Sequence, residues 1–265
     1  MYAAHSSSFS SSRVAPNQHT LRPMITGSSV IGVIYDGGVM LAADTLLSYG
    51  TLAKFQGAQR LQAIPHTSVL LGAAGEYSDF GEILEILTNK AVEETRTSVM
   101  DVLYSGVATE AEEGAAAAVP AMTAASTWNY LRMIMYSRRN KMNPYWNDLL
   151  VAGCDPQPFL GLVDKIGTTV QTDSFLATGF GALVALPLLR EQWRPDLSEG
   201  EARALLEDCM RVLFYRDACA SAQIQLAKCT PQGAVLVSDP YTLDTSWDAP
   251  DCTRPVAQLD GDGGW

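Results

Sequence analysis

Few side chains in this sequence have the type and spacing that chemistry demands. Three histidines are present, His5, His19 and His66, and two of them lie in the first twenty residues. That inventory argues against a His-ligated metal site and against a Ser-His-Asp triad. Five cysteines, at 154, 209, 219, 229 and 252, follow no regular spacing and include no Cys-x-x-Cys pair. They read as buried or free thiols of a reducing compartment. Cys219 has no histidine near it in sequence and reads as a packing thiol, not a nucleophile. Gly72-Ala73-Ala74-Gly75 lacks the Gly-Lys-Ser/Thr ending of a phosphate loop and predicts a strand-to-helix turn. What remains is Asp44, a lone acid closing an apolar run, and Gly27-Ser28-Ser29 at the head of the run before it. Taken alone, Gly-Ser-Ser predicts a turn.

The elements around these residues can be read from their patterning. Val30, Gly32 and Ile34 alternate with Ile31, Val33 and Tyr35, which predicts a strand buried on both faces. Asp36-Gly37-Gly38 supplies the positive-φ positions of a tight hairpin, and Val39–Ala43 forms the return strand ending at Asp44. A turn is expected at Ser48-Tyr49-Gly50, then short strands over 51–55 and 60–64 and an apolar strand over 67–74. Phe80, Ile83, Leu84, Leu87 and Val92 recur at helical spacing and predict a helix from Glu76 to about Arg96. A second helix is expected over 121–139, ending in Arg138-Arg139 as the helix dipole favours. Strands follow over 148–154, 159–164 and 168–172. A third helix is expected over 180–191, bent by Pro187. Ser198-Glu199-Gly200-Glu201 has the form of a capping box and opens a fourth. The last strands are expected over 223–229 and 235–238. Strands, two helices, strands, two helices, strands is an order that fits two antiparallel sheets between two helical layers, an α+β four-layer α-β-β-α sandwich.

Composition bounds the function. A 265-residue chain with 47% hydrophobic residues can bury a sizeable core. No run approaches the roughly 18 apolar residues of a membrane span. A net charge of −11 argues against nucleic acid or an anionic membrane as partner. Residues 1–24 are Ser-rich, carry Arg13 and Arg22 and have no acid. A transit peptide has that composition, as does a disordered pro-segment; lack of an amphipathic apolar face favours the pro-segment. Residues 97–120 are acidic and Ala-rich and read as a surface insertion in a domain spanning 25–238. Residues 239–265 read as an extended tail.

Several segments together carry a resemblance: GSSVIGV, the Gly-Gly hairpin, LAAD, LLGAAGEYSDF, MYSRRNKMNP, LATGFGA with PLLRE, and MRVLFYRDA. From about Gly27 to Ser238 the chain resembles β-type subunits of the eukaryotic 20S proteasome. MYSRRNKMNPYWN and PLLRE are most similar to the seventh, non-catalytic β position. The resemblance implies the N-terminal nucleophile hydrolase fold. In active members a Thr freed at its own amino terminus attacks, its amine acts as base, and a Lys helps move the proton. Here the nucleophile position falls on Ser28 and the lysine position on Arg60, which keeps its proton at any working pH. Asp44 and Asp217 match the family's two aspartates. Its two assisting serines fall on Phe180 and Ala220, neither with a hydroxyl. These are degenerate positions, so no catalytic residue, cofactor or metal is expected. The implied work is structural: building the β ring and proteolytic chamber, in contact with other β subunits, the opposite β ring and the adjacent α ring, in cytoplasm and nucleus. The pro-segment is expected to be trimmed upstream of Ser28, near Thr20. Tyr241, Trp247 and Trp265 are candidate interface side chains of the tail. An active N-terminal hydrolase with Ser28 as nucleophile and a free-standing binding domain stay open.

Overall fold

In the computed structural model, which describes residues 24–104, 122–155 and 157–246, most long strands are apolar on both faces because they lie between two layers. Strand β1 spans Ile25–Gly27, β2 Val30–Tyr35, β3 Gly38–Asp44, β4 Leu47–Tyr49, β5 Leu52–Phe55, β6 Leu61–Ala63 and β7 Val69–Glu76. Helices α1 (Tyr77–Tyr104) and α2 (Ala124–Asn140) follow, then β8 (Asn147–Cys154), β9 (Pro158–Val163), β10 (Thr169–Thr172) and β11 (Phe175–Ala177). Helices α3 (Gly181–Val184), α4 (Leu186–Gln192) and α5 (Glu199–Arg216) precede β12 (Gln223–Cys229), β13 (Val235–Val237) and β14 (Tyr241–Thr242).

Among the described residues the strands form two sheets, all pairs antiparallel. One is eight-stranded, in the order β10-β9-β8-β7-β1-β4-β5 with β6 against β7; the other is six-stranded, β11-β2-β3-β12-β13 with β14 on β12. Side-chain alternation explains the stacking. Ile31, Val33, Met40 and Ala42 face α3–α5, where Leu189, Leu206, Met210 and Leu213 meet them. Their neighbours Val30, Val39, Leu41 and Ala43 turn inward to Leu70, Leu150, Ala152 and Leu160 of the other sheet. On that sheet's far face Val69, Leu71, Ala73, Leu149 and Val151 pack against Phe80, Ile83, Leu87, Leu131 and Met135 of α1 and α2. These three cores are the boundaries of a four-layer α-β-β-α sandwich, as expected.

Several local expectations need correction. Helix α1 runs through Tyr104, not to Arg96; between residues 82 and 104 no Gly or Pro interrupts it. The Ala-rich part of the expected insertion, residues 105–120, and the pro-segment up to residue 23 lie outside the described residues. The helix expected over 180–191 is two: α3 ends at Val184, and α4 restarts with Pro187 in its first turn. Proline lacks the N–H that would bond back to Leu183 and is tolerated only where a helix begins. Ser48 and Tyr49 belong to strand β4, and the turn begins at Gly50. The segment before Ser28 is strand β1, not a turn. The capping box is present: the Glu201 N–H donates to Ser198 Oγ at 3.4 Å, and the Ser198 N–H to Glu201 Oε2 at 2.9 Å.

Candidate functional site

Two buried residues of opposite charge organise the meeting point of the sheets. Asp44 closes β3 and is 1% exposed; Arg60 precedes β6 and is 2% exposed. Arg60 Nη2 makes an ion pair with Asp44 Oδ1. The guanidinium's other bonds go to backbone carbonyls: Nε to Asp44 (2.9 Å), Nη1 to Ser28 (2.8 Å) and Ala73 (3.3 Å), and Nη2 to Ser29 (3.2 Å). One side chain thereby ties the approach to β2, the end of β3 and the middle of β7. Burial pushes the Asp44 carboxyl above the usual carboxylate range; Arg60 opposes that shift, as do the N–H groups of Ser221 and Leu46. The Ser221 N–H donates to Asp44 Oδ2 at 3.0 Å. A guanidinium has donors and no acceptor, so Arg60 can fix charge and backbone but cannot take a proton.

Beside this pair lie the hydroxyls. Ser28 Oγ donates to Asp217 Oδ2 and lies 3.5 Å from Ser29 Oγ. Asp217 caps the end of α5 and accepts the Cys219 N–H on Oδ1 at 2.9 Å. Ser29 Oγ accepts the Gly181 N–H at 2.8 Å, holding the start of α3. Phe180 stands at the N-cap of α3, 39% exposed, and supplies no hydroxyl. Ala220 supplies only its backbone, donating to the Asp217 carbonyl at 3.1 Å. Ser28, Asp44, Arg60 and Asp217 are thus brought together, and Gly181 brings the Phe180 loop up to Ser29. His66, in the turn between β6 and β7, is at the opposite end of β7.

The chain enters this site as β1, and that geometry sets how Ser28 is held. β1 pairs with β4 on one edge (Gly27 with Leu47) and with β7 on the other (Gly27 with Gly75). Glu76 Oε2 accepts the N–H groups of Met24 and Ile25, the latter at 3.1 Å. Ser28 therefore follows a strand in the interior of a sheet. Glycine is required on both sides of the β1–β7 contact. A Cβ on Gly27 would stand 2.3 Å from Arg60 Cδ. Gly75 has φ +106 and lies against the Trp146 carbonyl. The turn expected at Gly72–Gly75 is instead continuous strand, through Glu76.

Fold and site together match one family along most of the chain. The family model described as "Proteasome subunit" covers residues 24–109 and 109–229. The chain belongs to the proteasome subunit family. Among curated members of that family, proteasome subunit beta type-4 of Arabidopsis thaliana is 39% identical over 246 residues, covering 92% of this chain and 91% of the relative. Proteasome subunit beta type-4 of Xenopus laevis is 37% identical, covering 88% of each. Proteasome subunit beta type-7 of Saccharomyces cerevisiae is 36% identical, covering 85% of this chain and 81% of the relative.

Within this proteasome-family domain, sequence reasoning missed Ser29, Ser221, Glu76 and Thr178. Thr178 Oγ1 accepts the Val30 N–H at 2.9 Å and so holds the start of β2. Ser29 and Thr178 lie inside the GSSVIGV and LATGFGA segments, which are the signal for them. Glu76 lies inside LLGAAGEYSDF in the same way, although its partners are N–H groups about fifty residues earlier. Tyr241, expected at an interface, is engaged in its own domain: its hydroxyl donates to Glu207 Oε1 at 2.6 Å and Arg203 stacks over its ring at 5.1 Å. Trp247 and Trp265 lie outside the described residues.

Proposed function

We propose that this chain is a non-catalytic, structural β-type subunit of the 20S proteasome core, building the β ring and the chamber for regulated protein degradation. The observation that carries this reading is strand β1. Freeing an amine at Ser28 would mean cutting Gly27–Ser28 and removing a strand paired on both edges. Arg60, in the lysine position, is fully committed to carbonyls and to Asp44. The names of the relatives place them in proteasome particles as β subunits. The partners are accordingly other β subunits of its ring, the opposite β ring and the adjacent α ring, in cytoplasm and nucleus. The test is the intact mass and N-terminal sequence of the chain taken from proteasomes of its own cells. A start upstream of Met24 agrees with the proposal; a start at Ser28 overturns it.

A second reading, an N-terminal hydrolase with Ser28 as nucleophile, is favoured by the Ser28–Asp217 hydrogen bond. Covalent labelling of Ser28 by an electrophilic peptide would establish it. The structural reading expects none.

A further inference from the structure

The segment Met135–Pro144, MYSRRNKMNP, has no part in the site, yet it is the least ordinary surface of the domain. From residue 114 to residue 147 the chain has no acid, in a protein of net charge −11. Arg132, Arg139 and Lys141 are exposed along the last turns of α2, and Lys165 joins them from the turn between β9 and β10. That turn sits against the helix: a Cβ on Gly167 would be 2.9 Å from Tyr136. None of these four cations has an ion-pair partner among the described residues. Arg203 and Arg211, by contrast, each pair with a carboxylate of their own helix. Arg138 is already used, stacked over Tyr145 at 4.1 Å and 4.0 Å from Glu82.

Large apolar side chains interleave with the charges. Met133 is 62% exposed, Tyr136 53%, Met142 80% and Ile166 48%. Met142 also has φ 54, a left-handed conformation that a glycine would adopt without strain. That backbone turn closes α2, with the Met142 N–H donating to the Arg139 carbonyl at 3.0 Å and the Asn143 N–H to the Arg138 carbonyl at 3.1 Å, and it leaves the methionine side chain standing out from the domain. Methionine, tyrosine and arginine are the residue types enriched in protein–protein interfaces, where Met adapts its shape to a partner.

We propose that the end of α2 and the β9–β10 turn form a docking face for an acidic surface of another protein, anchored by Met133, Tyr136 and Met142 and steered by Arg139, Lys141 and Lys165. Charge complementarity chooses the occupant, a partner that presents an acidic face: a second copy docked through this same face, or any basic partner, would be repelled. That the partner is a fellow proteasome subunit rests on the reading above; the face itself does not.

Site-specific photocrosslinking in intact cells tests this. A p-benzoylphenylalanine placed at position 142 of the full chain should crosslink to a segment of another chain with a clear surplus of Asp and Glu. Arg139→Glu with Lys141→Glu should cut the adduct roughly tenfold. Raising salt from about 0.1 to about 0.5 M in lysate should do the same. An unchanged circular dichroism spectrum and melting temperature of the double variant would show that its fold is kept. No adduct above that from position 93 on α1, or a yield indifferent to both charge reversal and salt, overturns the docking face. Such a result in a chain that still co-purifies with a two-ring particle leaves the subunit reading standing. A salt-sensitive adduct in a chain never found in a large particle does the reverse.

Discussion

Arg60 is the residue on which the site turns, because its acceptors come from three places in the chain. A buried pair such as Arg60–Asp44 is weak evidence for net stability, but breaking it leaves a charge without a partner. Arg60→Met is expected to cost about 3–5 kcal/mol, read from urea midpoints at constant slope. Adding Asp44→Asn should recover part of that loss, since it removes the stranded carboxylate. Strictly additive single and double variants would show that the pair is not coupled. Arg60→Lys is expected to be milder than Arg60→Met and, on the non-catalytic reading proposed above, to create no peptidase activity against short fluorogenic peptides. None of Arg60's work could be read from sequence. Four of its five acceptors are backbone carbonyls, and a carbonyl looks the same at every position. Its place in the site became legible only through resemblance.

At the scale of elements, β1 and α1 make opposite demands on glycine. Gly27→Ala drives a methyl into Arg60, which has nowhere to go, and is expected to cost about 1–3 kcal/mol. Gly81→Ala, on the exposed side of α1 where a Cβ meets nothing, is expected to stabilise by about 0.5–1 kcal/mol. Thermal melts of the two variants should therefore shift in opposite directions; shifts of one sign would contradict the assignment of β1. The long strands were legible because Val30–Tyr35, Val39–Ala43 and 67–74 have the unbroken apolar character of strands covered on both faces. β1, β4 and β14 were not. Each has two or three residues, too few for a period, and each is strand because of the partners it pairs with. The end of α1 was misplaced because composition was read as a boundary, while the backbone responds to Gly and Pro.

For the whole molecule, the dense packing of the layers sets its response to pH. Burial pushes the thiols of Cys209 and Cys229 and the phenol of Tyr35 up to about 12. In an unfolded chain thiols ionise near ~8.5 and phenols near ~10. Between those values and about 12 the unfolded chain has released protons that the folded chain keeps, so stability falls as pH rises. From about pH 8 upward the melting temperature is expected to fall steadily. Cys209→Ala with Cys229→Ala should flatten the first part of that fall, whatever it does to the starting value; an unchanged slope would assign the loss elsewhere. The order of the large sheet also has a consequence for synthesis. β1 leaves the ribosome first, but its Gly75 and Glu76 partners are made about fifty residues later. At ~5–20 residues per second, that is a wait of roughly 3–10 s. Through that interval the edge of β1 that will meet β7 is unpaired, though its other edge can already pair with β4. The β4–β5 hairpin, which among the described residues neighbours β1 alone in the sheet, waits with it for that edge to be covered. The nascent chain is therefore most open to wrong pairing, and most in need of a chaperone, before Glu76 has emerged.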